Sequence, residues 1–240
     1  MNPDNVRESV ARISAGAKAI DDVLGGGWPK GRIVEVYGRP NSGKRSLALA
    51  ALADRAKAAW LYSGAWVELV DGAYDQPYAT ACGWQQQDVT YLSTDLARRN
   101  ALEYVEKVVR KGSRLLVVVS GAHALVRSDD IACRLYDQQM RRLVSAAHAT
   151  GTCVMFLRDG ERQSAPFVSD ACAVGNALKY YSSVRVHLAA ASWCNKGNAG
   201  IVGQGELVKN KLGPAFARFG FVVQHSRGLL AGDSALAANG

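Results

Sequence analysis

Gly38-Arg39-Pro40-Asn41-Ser42-Gly43-Lys44-Arg45 is the stretch that decides the fold. It is a phosphate-binding loop complete up to its last position, where Arg45 stands in place of the usual Ser or Thr. In such a loop the glycines let backbone N–H groups curl around phosphate oxygens, and Lys44 reaches the β and γ phosphates. The candidate nucleotide-binding residues are therefore Gly38, Ser42, Gly43, Lys44, Arg45 and Ser46. The hydroxyl missing at position 45 is the one that would hold Mg²⁺. Ser46 sits next door, and a guanidinium can itself pair with phosphate. The Arg45 side chain is expected in or near the space that Mg²⁺ and the β-phosphate would use.

The flanks supply the context the motif requires. Arg32–Tyr37 is a β-rich run leading straight into the loop, and an Ala/Leu-rich helix follows from Ser46 to about Ser63, with Gly64 as its stop. Further on, Trp66–Asp71 reads as a strand and Ala97–Lys111 as an amphipathic helix. Arg114–Ser120 contains Leu-Leu-Val-Val-Val, a strand buried on both faces. Ile131–Ala149 is helical and Thr152–Leu157 a strand. Alternating strands and helices imply an α/β fold, a mostly parallel central sheet with helices on both faces. Val184–Ala189, Gly205–Lys211 and Phe219–Gln224 read as an antiparallel strand extension. Short helices are expected over residues 3–12 and Ser14–Leu24, and the expected division is a short N-terminal segment 1–12, a core domain 13–227 and a flexible tail 228–240.

The chain has 240 residues, enough for one α/β domain with a sizeable core, and its 48% hydrophobic and 21% charged content argues against extensive disorder. A net charge of +8 favours an anionic partner such as DNA, RNA or nucleotide. The five cysteines form no Cys-x-x-Cys pair and read as reduced thiols. No apolar run approaches a membrane span and no signal peptide is evident, so a cytoplasmic location without membrane contact is expected.

Three blocks in sequence order carry a resemblance. Ile13-Ser14-Ala15-Gly16, Leu24-Gly25-Gly26-Gly27 and Pro29–Gly38 form the first. Gly175-Asn176-Ala177-Leu178-Lys179-Tyr180-Tyr181-Ser182-Ser183-Val184-Arg185 is the second, and Val208-Lys209-Asn210-Lys211 with Pro214 and Phe216 the third. Arg134, Gln138, Met140, Arg141 and Leu143 fit the helix between. Together they resemble the RecA recombinase core, which implies a RecA-like P-loop NTPase fold from about residue 13 to 227.

The resemblance is strong in the scaffold and poor in the chemistry. The family uses an Asp at the end of the buried strand to hold the Mg²⁺ shell; Val119 is expected at that point. Its water-activating Glu falls on Ala73, with Glu68, Asp71 and Asp75 near, and its phosphate-sensing Gln falls on Asp159, a carboxylate that would repel phosphate. The resemblance therefore implies no catalytic residue, no metal site, no required cofactor, and at most ATP or ADP bound without efficient hydrolysis. In the family's filaments lysines matching Lys209 and Lys211 reach the neighbour's nucleotide, so both are candidate intersubunit contacts; as solvated edge charges they need no such role.

The family binds single-stranded DNA through two loops. The first, Gly121–Asp130, is short here and carries Asp129-Asp130, unwelcome beside phosphates. The second, Gly160–Val174, contains Arg162 and Phe167, a cation and an aromatic suited to stacked bases. With Lys179 and Arg185 these are the candidate DNA-binding residues. Basic clusters at Arg98-Arg99, Lys107, Arg110-Lys111 and Arg114, and at Arg134, Arg141 and Arg142, read first as solvated helix faces.

The favoured expectation is a catalytically degenerate RecA-like accessory protein of bacterial DNA repair and the SOS response. Among such relatives it looks most like the ImuA type, which supports error-prone translesion synthesis. Its implied partners are RecA and an ImuB-like Y-family polymerase homologue, with single-stranded DNA as a further candidate and self-assembly into a filament not expected. The alternatives are a divergent ATP-dependent, DNA-binding recombinase with strand-exchange activity, and an ATP-binding switch without hydrolysis.

Overall fold

The computed structural model describes residues 10–58, 64–70, 73–84, 89–91, 100–125, 130–160, 173–194, 200–224 and 228–231. In chain order the elements are β1 (Arg12–Ile13), α1 (Lys18–Leu24), β2 (Trp28–Pro29), β3 (Ile33–Gly38), α2 (Lys44–Ala58), β4 (Ala65–Glu68), α3 (Gln76–Ala81) and β5 (Val89–Tyr91). They continue with α4 (Ala101–Arg110), β6 (Leu116–Ser120), a 3₁₀ turn (Ala122–Leu125), α5 (Asp130–Thr150), β7 (Cys153–Asp159), α6 (Ala173–Tyr181), β8 (Val184–Cys194), β9 (Gly200–Asn210), β10 (Arg218–Gln224) and β11 (Gly228–Ala231).

A nine-stranded sheet runs in the order β11-β10-β9-β8-β3-β7-β6-β4-β5. The strands from β8 to β5 pair in parallel, while β8 to β11 pair antiparallel. The phosphate-loop strand β3 lies inside the sheet between β7 and β8. That position explains why Ile33-Val34-Glu35-Val36-Tyr37 is buried throughout.

Side-chain alternation divides the interior into two cores, one on each face. On one face Val34 and Val36 of β3, Trp66 of β4, Val118 of β6 and Met155 of β7 pack with Leu47, Ala48, Ala51 and Leu52 of α2. On the other, Ile33, Val67, Val117, Val119, Val154 and Phe156 meet Leu102, Val105 and Val109 of α4 and Met140, Leu143 and Ala147 of α5. The three- and four-residue spacing of those helical positions builds the apolar stripe that the sheet requires. Leu47 and Leu52 are fully buried, so truncating either to Ala costs about 2–5 kcal/mol.

Two expectations change. The stretch from Gly228 begins as a strand: Gly228–Ala231 pairs antiparallel with β10, extending the sheet into residues expected in the tail. In the segment expected as helix 3–12, residues 3–9 lie outside the described residues, and Arg12-Ile13 instead pairs with Trp28-Pro29. Among the described residues no helix is long and apolar enough to cross a membrane.

Candidate nucleotide site

The loop between β3 and α2 has Asn41 at φ 63° and Gly43 at φ 89°. At Gly43 a Cβ would also come within 2.8 Å of the Phe221 ring, so both backbone and space call for glycine. The loop opens on a cavity of about 390 Å³ lined by residues 40–46, by Asp75 and Tyr78 of the α3 region, by Asp159, and by Gly200, Ile201 and Val223 of β9 and β10. The N-terminus of α2 points its unpaired N–H groups into this loop, a favourable place for phosphate.

Lys44 is folded onto its own loop. Its Nζ donates to the Gly38 carbonyl at 2.9 Å, the Arg39 carbonyl at 2.6 Å and Ser42 Oγ at 3.3 Å, and pairs with Asp159 Oδ1 at 2.9 Å. Burial lowers its pKa below the ordinary lysine value, and the Asp159 carboxylate partly offsets this. Asp159 thus does more than oppose phosphate: it neutralises the loop lysine, and His123 Nδ1 lies 3.7 Å from its other oxygen.

Arg45 does not fill the cavity. Its guanidinium donates to the Ala73 carbonyl and lies 3.8 Å from Glu68 Oε2. Glu68 ends β4 on the face shared with Trp66, and its fully buried carboxylate also accepts from Trp66 Nε1 and the Val70 N–H, each at 3.3 Å. Of the carboxylates expected near the water-activating position, Glu68 meets Arg45, Asp75 lines the cavity and Asp71 lies outside the described residues, while Ala73 contributes only its carbonyl. The neighbouring strand needs a correction too: Val119 faces the α4–α5 core, whereas Val118 faces α2. By alternation the residue at the end of β6 on the loop's side is Ser120.

Mg²⁺, which the family uses at this loop, demands near-octahedral oxygen ligands. Arg45 brings none. Ser46 Oγ shares a hydrogen bond of 2.5 Å with Tyr78 Oη, and the Glu68 carboxylate is taken by Arg45, Trp66 and Val70. Among the described residues no group of three His, Cys, Asp or Glu could hold a metal ion. The donor set does not fit Mg²⁺.

Tyr78, Gly200, Ile201 and Val223 are cavity residues that sequence reasoning missed, and Asp75, weighed only as a neighbour of the water-activating position, also lines it. Asp75 caps α3, accepting the Tyr78 N–H at 2.9 Å with Pro77 in the first turn. The Asp-x-Pro-Tyr pattern was the available signal for a helix start. Burial pushes the Tyr78 phenol up, so it stays protonated.

The remaining candidates scatter. Arg162 and Phe167 lie outside the described residues. Lys179 sits in the last turn of α6. Arg185 is buried against Glu35, its Nε donating at 2.5 Å, and cannot serve as the DNA contact expected of it. Lys209 Nζ donates to the Lys179 and Tyr180 carbonyls at 2.5 and 3.1 Å, and Lys211 Nζ to Tyr180 at 3.5 Å, so both cap the C-terminus of α6. Of the helix-face basic residues, Lys107 pairs with Glu103, Arg110 and Arg142 with Glu106, and Arg141 with Asp137, while Arg98 and Arg99 lie outside the described residues.

Residues 2–230 match the RecA N-terminal domain family. Protein RecA 1 of Myxococcus xanthus is 32% identical over 238 residues, covering 92% of this chain and 68% of its own length. Protein RecA of Arthrospira platensis is 33% identical over 244 residues (94% and 65%), and that of Trichodesmium erythraeum 34% over 244 residues (94% and 66%). The chain spans about two thirds of the length of these relatives. The crystal structure of the RadB recombinase matches with a TM-score of 0.69 at 20% identity, covering 92% of this chain and 100% of that one, a likeness of fold. These findings bear out the RecA-like fold. They overturn the expectation of a chain without enzymatic activity: the relatives at 32–34% identity are RecA proteins. With 229 of its 240 residues matched, the chain belongs to the RecA N-terminal domain family.

Proposed function

We propose that this chain binds and hydrolyses a nucleoside triphosphate and acts on DNA in repair and recombination. The observation that carries this reading is the cavity of about 390 Å³ at the end of β3, with Lys44 on its phosphate-loop wall. The triphosphate lies along the loop N–H groups and the start of α2, and displaces Asp159 from Lys44. The base rests against Tyr78 and Asp75 on one side and Ile201 and Val223 on the other. For hydrolysis, Arg45 and Lys44 offset the phosphate charge, with Arg45 oriented by the buried Glu68 carboxylate. DNA contact draws on the net charge of +8 and on Arg162, Phe167 and Lys179. The test is ATP turnover with and without single-stranded DNA. Turnover that falls about 100-fold in Lys44→Ala supports the reading; a wild-type rate equal to that of Lys44→Ala in both conditions rejects it.

A second reading concerns partners. Tyr180 is 71% exposed and Phe216 67% exposed, the latter at φ 65° in the β9–β10 turn, and Lys211 Nζ lies 5.9 Å from the Tyr180 ring. Two exposed aromatics beside Lys209 and Lys211 suit a protein partner. We propose that this edge meets RecA or an ImuB-like Y-family polymerase homologue during SOS-induced translesion synthesis. Lys209 ends the strand opposite Gly200, about 30 Å along β9 from the cavity. It and Lys211 can therefore reach a nucleotide only on a second RecA-type subunit. Pull-down of each partner by wild type, lost in Tyr180→Glu/Phe216→Glu, supports this; equal capture by the variant counts against it.

A further inference from the structure

The mismatch between this site and Mg²⁺ has a positive side. A loop that holds a triphosphate must offset several negative charges, and the fold implies that a divalent cation supplies part of that. Here the first turn of α2 places a guanidinium beside Lys44, and the fold tethers it. Arg45 is held by the Ala73 carbonyl on one side and by Glu68 on the other. Glu68 is fully buried, and Arg45, which lines the nucleotide cavity, is 43% exposed and so has room to turn toward a ligand.

Two oxygen-bearing side chains beside Arg45 are already engaged. Ser46 Oγ is bound to Tyr78 Oη, and Glu68 is bound by Trp66, Val70 and Arg45. A divalent ion placed against Glu68 would have to displace the guanidinium and sit beside a second positive charge. A guanidinium, by contrast, offers paired N–H groups that match two phosphate oxygens.

We propose that this pocket binds nucleoside polyphosphates without a divalent cation, with Arg45 as the resident counter-charge and Glu68 as the group that positions it. The inference rests on the reading of the cavity as a nucleotide site. Two roles divide between the loop cations: Lys44 exchanges Asp159 for phosphate, and Arg45 swings between the Glu68 carboxylate and the phosphate oxygens.

The experiment is equilibrium binding of a fluorescent ATP analogue to the full chain, in Mg²⁺ and in excess EDTA. Wild type is expected to keep its affinity within about threefold on removal of the metal. Arg45→Thr, which removes the guanidinium and restores a hydroxyl, is expected to lose at least about tenfold in EDTA and to regain affinity when Mg²⁺ is added. Arg45→Lys retains a positive charge and is expected to fall between the two. A wild-type affinity that drops about tenfold or more in EDTA overturns the inference while leaving the nucleotide site standing. Absence of binding in both conditions overturns the site and the inference together. The wild-type comparison stands whether or not either variant folds.

Discussion

Arg185 on β8 donates from Nε to Glu35 on β3 at 2.5 Å, across positions that are direct partners in the parallel register. Arg158 on β7 approaches the same carboxylate from the opposite neighbour at 2.9 Å, and both guanidinium groups lie over the Tyr37 ring. Three adjacent strands are thus joined through one buried carboxylate beside the phosphate loop. Removing Glu35 leaves two buried guanidinium groups without their carboxylate, and removing Arg185 leaves Glu35 with Arg158 alone. Arg185→Ala is expected to destabilise the protein by about 3 kcal/mol and Glu35→Ala by about 3–5 kcal/mol, measured by urea denaturation with unchanged slope.

Asp159 holds Lys44 at 2.9 Å where phosphate is expected to go. Asp159→Asn keeps the shape and removes the competing charge. Its affinity for ATP is expected to rise about three- to tenfold, read by calorimetric titration. An unchanged affinity would show that the ion pair does not compete with the nucleotide.

Gly205 on β9 and Phe219 on β10 are cross-strand partners, and a Cβ on Gly205 would come within 2.1 Å of the Phe219 ring. The ring covers the glycine and leaves no space for a methyl group. Gly205→Ala is expected to cost about 1–3 kcal/mol of stability, and Gly205→Ala/Phe219→Leu to recover part of it; thermal melts of the two variants check this.

Lys209 has its pKa lowered to about 8, first by burial, then by Lys211 and Arg185, against a raising effect of Glu35. Its charged form is disfavoured in the folded state, so between about pH 8 and the ordinary lysine range the unfolded chain binds the extra proton. Stability contributed at this position therefore rises with pH through that window, and below it the penalty is fully present. Relative to Lys209→Gln, wild type is expected to gain stability as pH rises above 8; the difference between their denaturation midpoints across pH is the measurement.

Much of the architecture was legible in the chain because its signals are local. The Gly38–Lys44 loop between a β-rich run and a helix, the Leu-Leu-Val-Val-Val run and the three- and four-residue apolar spacing each report on neighbours in sequence, and the corresponding β3, α2, β6 and α4 stand within a few residues of expectation. Family membership followed from the order of such blocks. The site's chemistry was not local. Whether Val119 or Ser120 faces the loop depends on strand alternation within a sheet whose two cores must first exist. Arg185 is buried against Glu35, across a sequence separation of 150 residues, because two parallel strands lie side by side. Glu68 and Asp159, at the ends of β4 and β7, meet Arg45 and Lys44 across separations of 23 and 115 residues because the sheet carries those strand ends to the start of α2. Local sequence determined the scaffold and the phosphate loop; only the tertiary structure decided which charges compensate one another, because a buried charge is settled by whatever partner the sheet brings within reach.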